Sequence, residues 1–143
     1  MIDQYTATIH ALMFTLACVG ISETTYLIRT RKASEHPVCI IGHGCTKVLD
    51  SKYNMLFGIV HNDIMGLLFY LGVSVISAFF VLAVEPFSLW SLFLKLMVAT
   101  GAILSTYFFY LQWKVIKAWC FWCLVSAGTV FTMGAIILFS GVY

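Results

Sequence analysis

The chain has 143 residues, 62% of them hydrophobic and only 10% charged, with a net charge of +2 and a mean hydropathy of +0.97. A soluble domain carries roughly 25% charged residues, so too few polar side chains are present here to cover a water-facing surface, and a bilayer is the natural solvent. The small net charge gives no reason to expect a nucleic-acid partner.

The length suits one domain, residues 1–143, with no Pro/Gly/Ser-rich linker, charge run or internal repeat to divide it. A spanning helix needs about 20 mainly apolar residues. Four stretches qualify, at approximately 5–28, 61–82, 89–113 and 118–142. The first lacks the basic n-region of a signal peptide and outruns the usual apolar core of about 7–15 residues, so it reads as a helix. The second and third are joined by Val84-Glu85-Pro86-Phe87-Ser88, where proline suits a helix start. The third and fourth are joined by Lys114-Val115-Ile116-Lys117.

The stretch 29–60 is too polar to span, holding Arg29, Arg31, Lys32, Glu35, His36, Lys47, Asp50 and Lys52. Within it, residues 46–57 place Val48, Leu49, Met55 and Leu56 at spacings that predict a short half-helix leaning on the membrane. A loop of this length inside a compact protein is usually functional. The expected fold is all-α and integral to the membrane: a four-transmembrane-helix bundle with a long loop and short half-helix between helices 1 and 2. With four spans, the first-to-second and third-to-fourth connections emerge on the same side.

Four of the five cysteines fall on that side. Cys39 and Cys45 bracket Ile40-Ile41-Gly42-His43-Gly44, whose two glycines let a short loop fold back on itself. Cys120 and Cys123 form a Cys-Phe-Trp-Cys motif at a predicted helix start. Residues three apart on a helix share a face, and a helix N-terminus favours the thiolate that attacks disulfides. Two dithiols on one face of a membrane make a relay by thiol–disulfide exchange. The rival reading is a non-catalytic membrane module with structural or metal-binding cysteines. A four-cysteine zinc site fits poorly, because Cys120 and Cys123 sit in an apolar, aromatic setting, and no other metal ligands are expected. A c-type haem needs histidine after the second cysteine, where Leu124 stands. Cys18 lies mid-helix without a partner and reads as a small packing residue.

The ordered set Cys39, Cys45, Ser51, Phe57-Gly58-Ile59, Asn62, Gly66, Tyr70 and Cys120-x-x-Cys123 resembles the vitamin K epoxide reductase family, closest to its bacterial and archaeal branch. The resemblance runs from Tyr26-Leu27 into the fourth helix. It implies a bundle around a quinone, ubiquinone, menaquinone or a relative, and an oxidoreductase that forms disulfides in partner proteins. By the same resemblance Cys39 exchanges with the partner, Cys45 relays to Cys120, and Cys123 delivers electrons to the quinone. Asn62 would donate a hydrogen bond to a quinone oxygen, although it also suits a helix cap. Ser51 matches a serine near the active site, although it too could cap the half-helix. The pattern departs at Ala127, where vertebrate members carry tyrosine, and there the resemblance to an epoxide-reducing enzyme ends. Many bacterial relatives carry a fused thioredoxin-like domain. This chain stops at Tyr143, so the expected partner is a separate thioredoxin-like thiol oxidase.

Among the remaining residues, His43 reads as a solvated loop histidine and Glu23 as an interfacial carboxylate near the end of helix 1. Lys95 is placed to snorkel from helix 3. The expected location is the cell membrane, multi-pass. Arg29, Arg31, Lys32, Lys47, Lys52, Lys114 and Lys117 all fall on the cysteine side, against Lys95 alone on the other. Cytoplasmic loops carry the Lys/Arg excess. This bias predicts cysteines facing the cytoplasm, as in hyperthermophiles that keep intracellular disulfides. The family resemblance implies the alternative, cysteines facing the periplasm, cell exterior or endoplasmic-reticulum lumen.

Overall fold

The computed structural model describes residues 3–143. Four helices are long and apolar enough to cross a membrane: α1 (Gln4–Lys32), α3 (Asn62–Val81), α4 (Phe87–Tyr110) continued by a π-helical turn (Leu111–Ile116), and α5 (Phe121–Ser140). Between α1 and α3 lie a short helix, α2 (Gly44–Leu49), a 3-10 turn (Lys52–Asn54) and a two-stranded antiparallel ribbon, β1 (Met55–Leu56) and β2 (Val60–His61). The bundle expected from composition is the observed architecture.

The helix ends differ from the apolar runs for local reasons. α1 continues four residues past its apolar stretch, through Arg29, Arg31 and Lys32. Cations at a helix C-terminus complement its dipole, so polarity there lengthens the helix instead of ending it. At the other junction Lys117 adopts a left-handed conformation with φ 54°. That break, together with an Ala118 N–H to Gln112 carbonyl bond of 3.2 Å, delays α5 until Phe121.

The expected half-helix over 46–57 is corrected to a shorter one. Asp50 and Ser51 still donate backbone hydrogen bonds to Thr46 and Val48, but Ser51 itself is extended and does not continue the helix. The Ser51 hydroxyl donates to the Val48 carbonyl at 2.7 Å, and the Asn54 amide donates to the Leu49 carbonyl at 2.8 Å. These side chains satisfy carbonyls at the end of α2 that a longer helix would have used. Phe57 and Gly58 then take positive φ, 54° and 69°, and turn the chain into a hairpin. Met55 and Leu56 are therefore strand residues opposite His61 and Val60.

α1 and α3 form the most extensive helix pair. A side chain at Gly20 would collide with the Tyr70 ring, and one at Gly66 would meet Thr24 Cγ2 at 3.0 Å. Small residues at such crossings let backbones approach closely, which supplies the dispersion contacts that hold helices together in lipid. The main core, with Met13, Ala17, Tyr70, Val73, Leu94 and Met133, fills the space between these helices and the other two. Of the four long helices, α4 buries the fewest of its own residues, only Leu94 and Val98.

One end of the bundle is closed by the Tyr5 hydroxyl on the Ser140 carbonyl, 3.3 Å, and by a 2.8 Å bond between Tyr143 and His10 Nδ1. At the opposite end Arg31 grips Asp63 with two bonds, 2.8 and 3.2 Å, tying the last turn of α1 to the first turn of α3. Asp63 is buried and also sits where the α3 dipole favours an anion. All four clustered cysteines lie at this second end. Cys18 is exposed on α1, so it faces outward and is not the packing residue its position suggested.

Candidate redox site

The long loop is tied down immediately before its first cysteine. The Val38 N–H donates to the Tyr26 phenol oxygen at 3.1 Å, and the Val38 carbonyl accepts the Trp122 indole N–H at 2.7 Å. The two rings also pack, with centroids 4.9 Å apart. One loop residue is thus held by α1 and α5 together, and Cys39 follows it. Gly42, with φ 61°, reverses the chain so that Cys39 and Cys45 join in a disulfide, their Cα atoms 5.9 Å apart. The two sulfurs are not equivalent. Cys39 is half-buried at the loop surface, whereas Cys45 in the first turn of α2 is completely buried. His43 is exposed, as a solvated loop histidine should be.

Cys45 owes its burial to Gly44. A Cβ at that position would run into the Trp119 carbonyl oxygen and lie 2.9 Å from the Trp119 nitrogen. Only glycine lets α2 press its backbone against the segment that leads into α5. Cys45, Val48 and Cys120 then form one buried cluster, flanked by Cys39, Ile116, Trp122 and Cys123. The structure brings both cysteine pairs together.

Cys120 is the N-cap of α5 and is fully buried. Its N–H donates to Gln112 Oε1 at 2.8 Å, from the π-helical turn, and its sulfur accepts the Cys123 N–H at 3.3 Å. Both thiols of this pair are free. The Cys123 thiol beside it, helped by the backbone N–H groups of Cys123 and Trp122, holds the Cys120 thiol below its ordinary value against the opposing effect of burial. Hydrogen bonds to a thiolate favour the charged form, so Cys120 is held toward its thiolate.

Beneath the cysteines lies a cavity of about 480 Å³ bounded by α1, α3, α4 and α5. Cys123, Asn62, Gln112 and Ala127 line it among mostly apolar neighbours, and so does Glu23. Asn62 opens α3 and makes no side-chain cap bond; the N-cap position belongs to His61. Ser51 lies outside the main cavity and borders a small recess shared with Asn62, Gln112 and Cys123.

Four groups at this site escaped sequence reading. Gln112 and the Tyr26–Trp122 pair act on backbone atoms of distant residues, which spacing does not reveal. The Arg31–Asp63 pair bridges 32 residues. Glu23 is corrected from an interfacial carboxylate to a buried one, only 5% exposed, because α1 runs nine residues beyond it. A polar residue inside an apolar span was the available signal for both Glu23 and Gln112.

Since the Cys123 thiol is the largest influence lowering Cys120, its removal has a definite sign. In Cys123→Ala the Cys120 thiolate loses that hydrogen bond, and its alkylation by iodoacetamide should require a higher pH than in the parent protein. A profile unmoved, or displaced to lower pH, would contradict the assignment of Cys120 as the activated thiol.

No curated relative matches the sequence significantly. The Vitamin K epoxide reductase family matches residues 11–138, a span that reaches all four long helices, the loop and both cysteine pairs. The resemblance seen in the motifs is therefore membership, one that suggests a membrane thiol oxidoreductase: the chain belongs to the vitamin K epoxide reductase family.

Proposed function

We propose that this single membrane domain forms disulfides in a thioredoxin-like partner and passes the electrons to a quinone through its two cysteine pairs. The observation that carries the reading is the shared buried cluster of Cys45 and Cys120, with Cys39 at the surface and Cys123 on the cavity. The two middle sulfurs, Cys45 and Cys120, are fully buried, while the outer two are partly accessible, Cys39 at the loop surface and Cys123 on the cavity.

The exchange steps follow from that order. A partner thiolate attacks Cys39 and displaces Cys45 as a thiolate; the partner's second thiol then leaves with an intramolecular disulfide and frees Cys39. Cys45 attacks Cys120 in an oxidised Cys120–Cys123 pair, forming a Cys45–Cys120 link and releasing Cys123. Cys39 resolves that link by attacking Cys45. The loop pair ends oxidised and the helix pair reduced, the arrangement of sulfurs described above. Each step exchanges one S–S bond for another through a mixed disulfide.

The cavity suits a quinone head group. Its volume of about 480 Å³ falls within the roughly 300–1,000 Å³ of small-molecule sites, and such sites are mostly apolar with few polar groups. A bound quinone supplies a two-electron, two-proton acceptor and leaves as hydroquinone. Asn62, free of any cap bond, is assigned the hydrogen bond to a quinone oxygen, and Ser51 a contact at the adjoining recess. The phenol that vertebrate relatives place at position 127 is replaced by a buried alanine, which favours a simple quinone over an epoxide.

The sidedness reading follows the charges. Arg29, Arg31 and Lys32 end α1, and Lys114 lies in the turn that ends α4, all at the cysteine end of the bundle. We assign that end to the cytoplasm.

Two experiments test these readings. In Cys123→Ala the Cys120 thiolate can only attack Cys45 of the loop disulfide and release Cys39. No Cys123 thiol remains to take Cys120 back out of the link, so non-reducing peptide maps of Cys123→Ala should contain a Cys45–Cys120 disulfide. Recovery of Cys39–Cys120 alone, or of no cross-link, would refute the order of the relay. For sidedness, a membrane-impermeant maleimide applied to intact cells after gentle reduction should leave Cys39 and Cys45 unlabelled until lysis. Labelling without lysis would place the site outside.

A further inference from the structure

Glu23 takes no part in the thiol steps, yet it is the least expected group in the bundle. It is 5% exposed, and neither carboxyl oxygen has a hydrogen-bond partner among the described residues. Its side chain lines the same cavity as Cys123 and Asn62. An ionised carboxylate without a partner is strongly disfavoured in an apolar interior, so such groups stay neutral by keeping a proton.

The neighbours give no reason to ionise it. On α1 itself Arg31 is committed to Asp63 through two bonds. On α3 the cavity presents Asp63, held in that pair, and Tyr70, whose hydroxyl is bonded to Ser126 at 2.8 Å. From α5 come Cys123 and, behind it, Cys120. α4 contributes neutral side chains only, among them Phe93, Thr100 and Phe108. Glu23 is thus the one carboxyl on the cavity, among the described residues, whose oxygens are uncommitted.

We propose that Glu23 is the proton donor for quinone reduction, holding its proton at the cavity wall and passing it to a quinone oxygen as the Cys120–Cys123 dithiol is oxidised. This inference rests on the quinone-reducing reading above. The balance is simple. Formation of the Cys120–Cys123 S–S bond from two thiols releases two electrons and two protons, and both electrons pass to the quinone. Glu23 gives one proton to a quinone oxygen and recovers one from the thiols. The other thiol proton goes to the second oxygen. One disulfide and one hydroquinone result, with Glu23 protonated again.

The discriminating variant is Glu23→Gln, which preserves size and neutrality but has no acidic proton. The first readout needs no turnover. Infrared spectra of the reduced, quinone-free protein at neutral pH should contain a protonated-carboxyl C=O band that disappears in Glu23→Gln. The second is single-turnover quinone reduction by pre-reduced protein, with ubiquinone-1 as the probe. Positioned proton donors contribute about 10²–10⁴-fold, so Glu23→Gln should be slower by about 100-fold or more. Exchange of the Cys39–Cys45 disulfide with a reduced thioredoxin-like donor, assayed separately without quinone, should keep its rate and report an intact fold. Glu23→Asp, which retains an acid, should recover part of the loss. Absence of the carboxyl band from the parent protein would overturn the proposal even if Glu23→Gln failed to fold. An unchanged rate in Glu23→Gln would overturn it equally. A parent protein that exchanges thiols but reduces no quinone would overturn the underlying reading and this inference with it, an outcome distinct from a defect confined to the variant.

Discussion

The site depends on one close approach. Gly44 presses backbone to backbone against Trp119, and no residue with a Cβ fits there. That contact converts two cysteine pairs, separated by most of the chain, into neighbours within one buried cluster. Thiol exchange needs sulfur to reach sulfur, and access governs its rate. The surrounding polar bonds serve the same constraint. Val38 is held by Tyr26 and Trp122, which keeps the loop over the bundle, and Gln112 holds the backbone of Cys120 at the head of α5.

Lipid sets the second constraint. With no water to satisfy them, polar groups within the bundle must find partners or stay uncharged. Most do so. Thr15, Thr24, Thr100 and Thr106 donate to carbonyls four residues back in their own helices, and Tyr70 bonds across to Ser126. Asp63 is compensated by Arg31 at the membrane end, where the α3 N-terminus also favours an anion. Against that background an unpartnered buried carboxyl such as Glu23 is costly to stability, and buried groups of this kind concentrate at functional sites. The cavity it lines is bounded by the close α1–α3 pair and by α4, which buries only Leu94 and Val98.

Much of this was legible in the sequence because lipid leaves few alternatives. Four apolar runs require four helices, and an even number of spans returns the loop and the Cys-Phe-Trp-Cys motif to one side. The two glycines between Cys39 and Cys45 allowed that short segment to fold back, and in the structure its end sulfurs stand together. Helix ends were less legible. Polarity counted against Arg29–Lys32 as helix, although basic residues suit a helix C-terminus. The half-helix failed at Ser51 and Asn54, whose side chains take over backbone partners, a competition that apolar spacing does not register. Glu23 was misplaced by the same error in the length of α1: an end drawn at residue 28 made it interfacial, and the true end at Lys32 buries it. Cys18 failed for another reason. An outward-facing residue in a membrane is as apolar as a core one, so hydropathy cannot tell the two faces apart.

In the proposed relay, electrons from protein thiols leave through the cavity by way of both cysteine pairs. The most direct measurement supplies purified protein with a reduced thioredoxin-like donor and ubiquinone-1, and counts donor disulfide formed against hydroquinone produced. The relay predicts one hydroquinone per donor disulfide, with turnover lost in alanine variants of Cys39, Cys45, Cys120 or Cys123 and kept in Cys18→Ala. Donor oxidation without hydroquinone, or full turnover in any of those four variants, would contradict it.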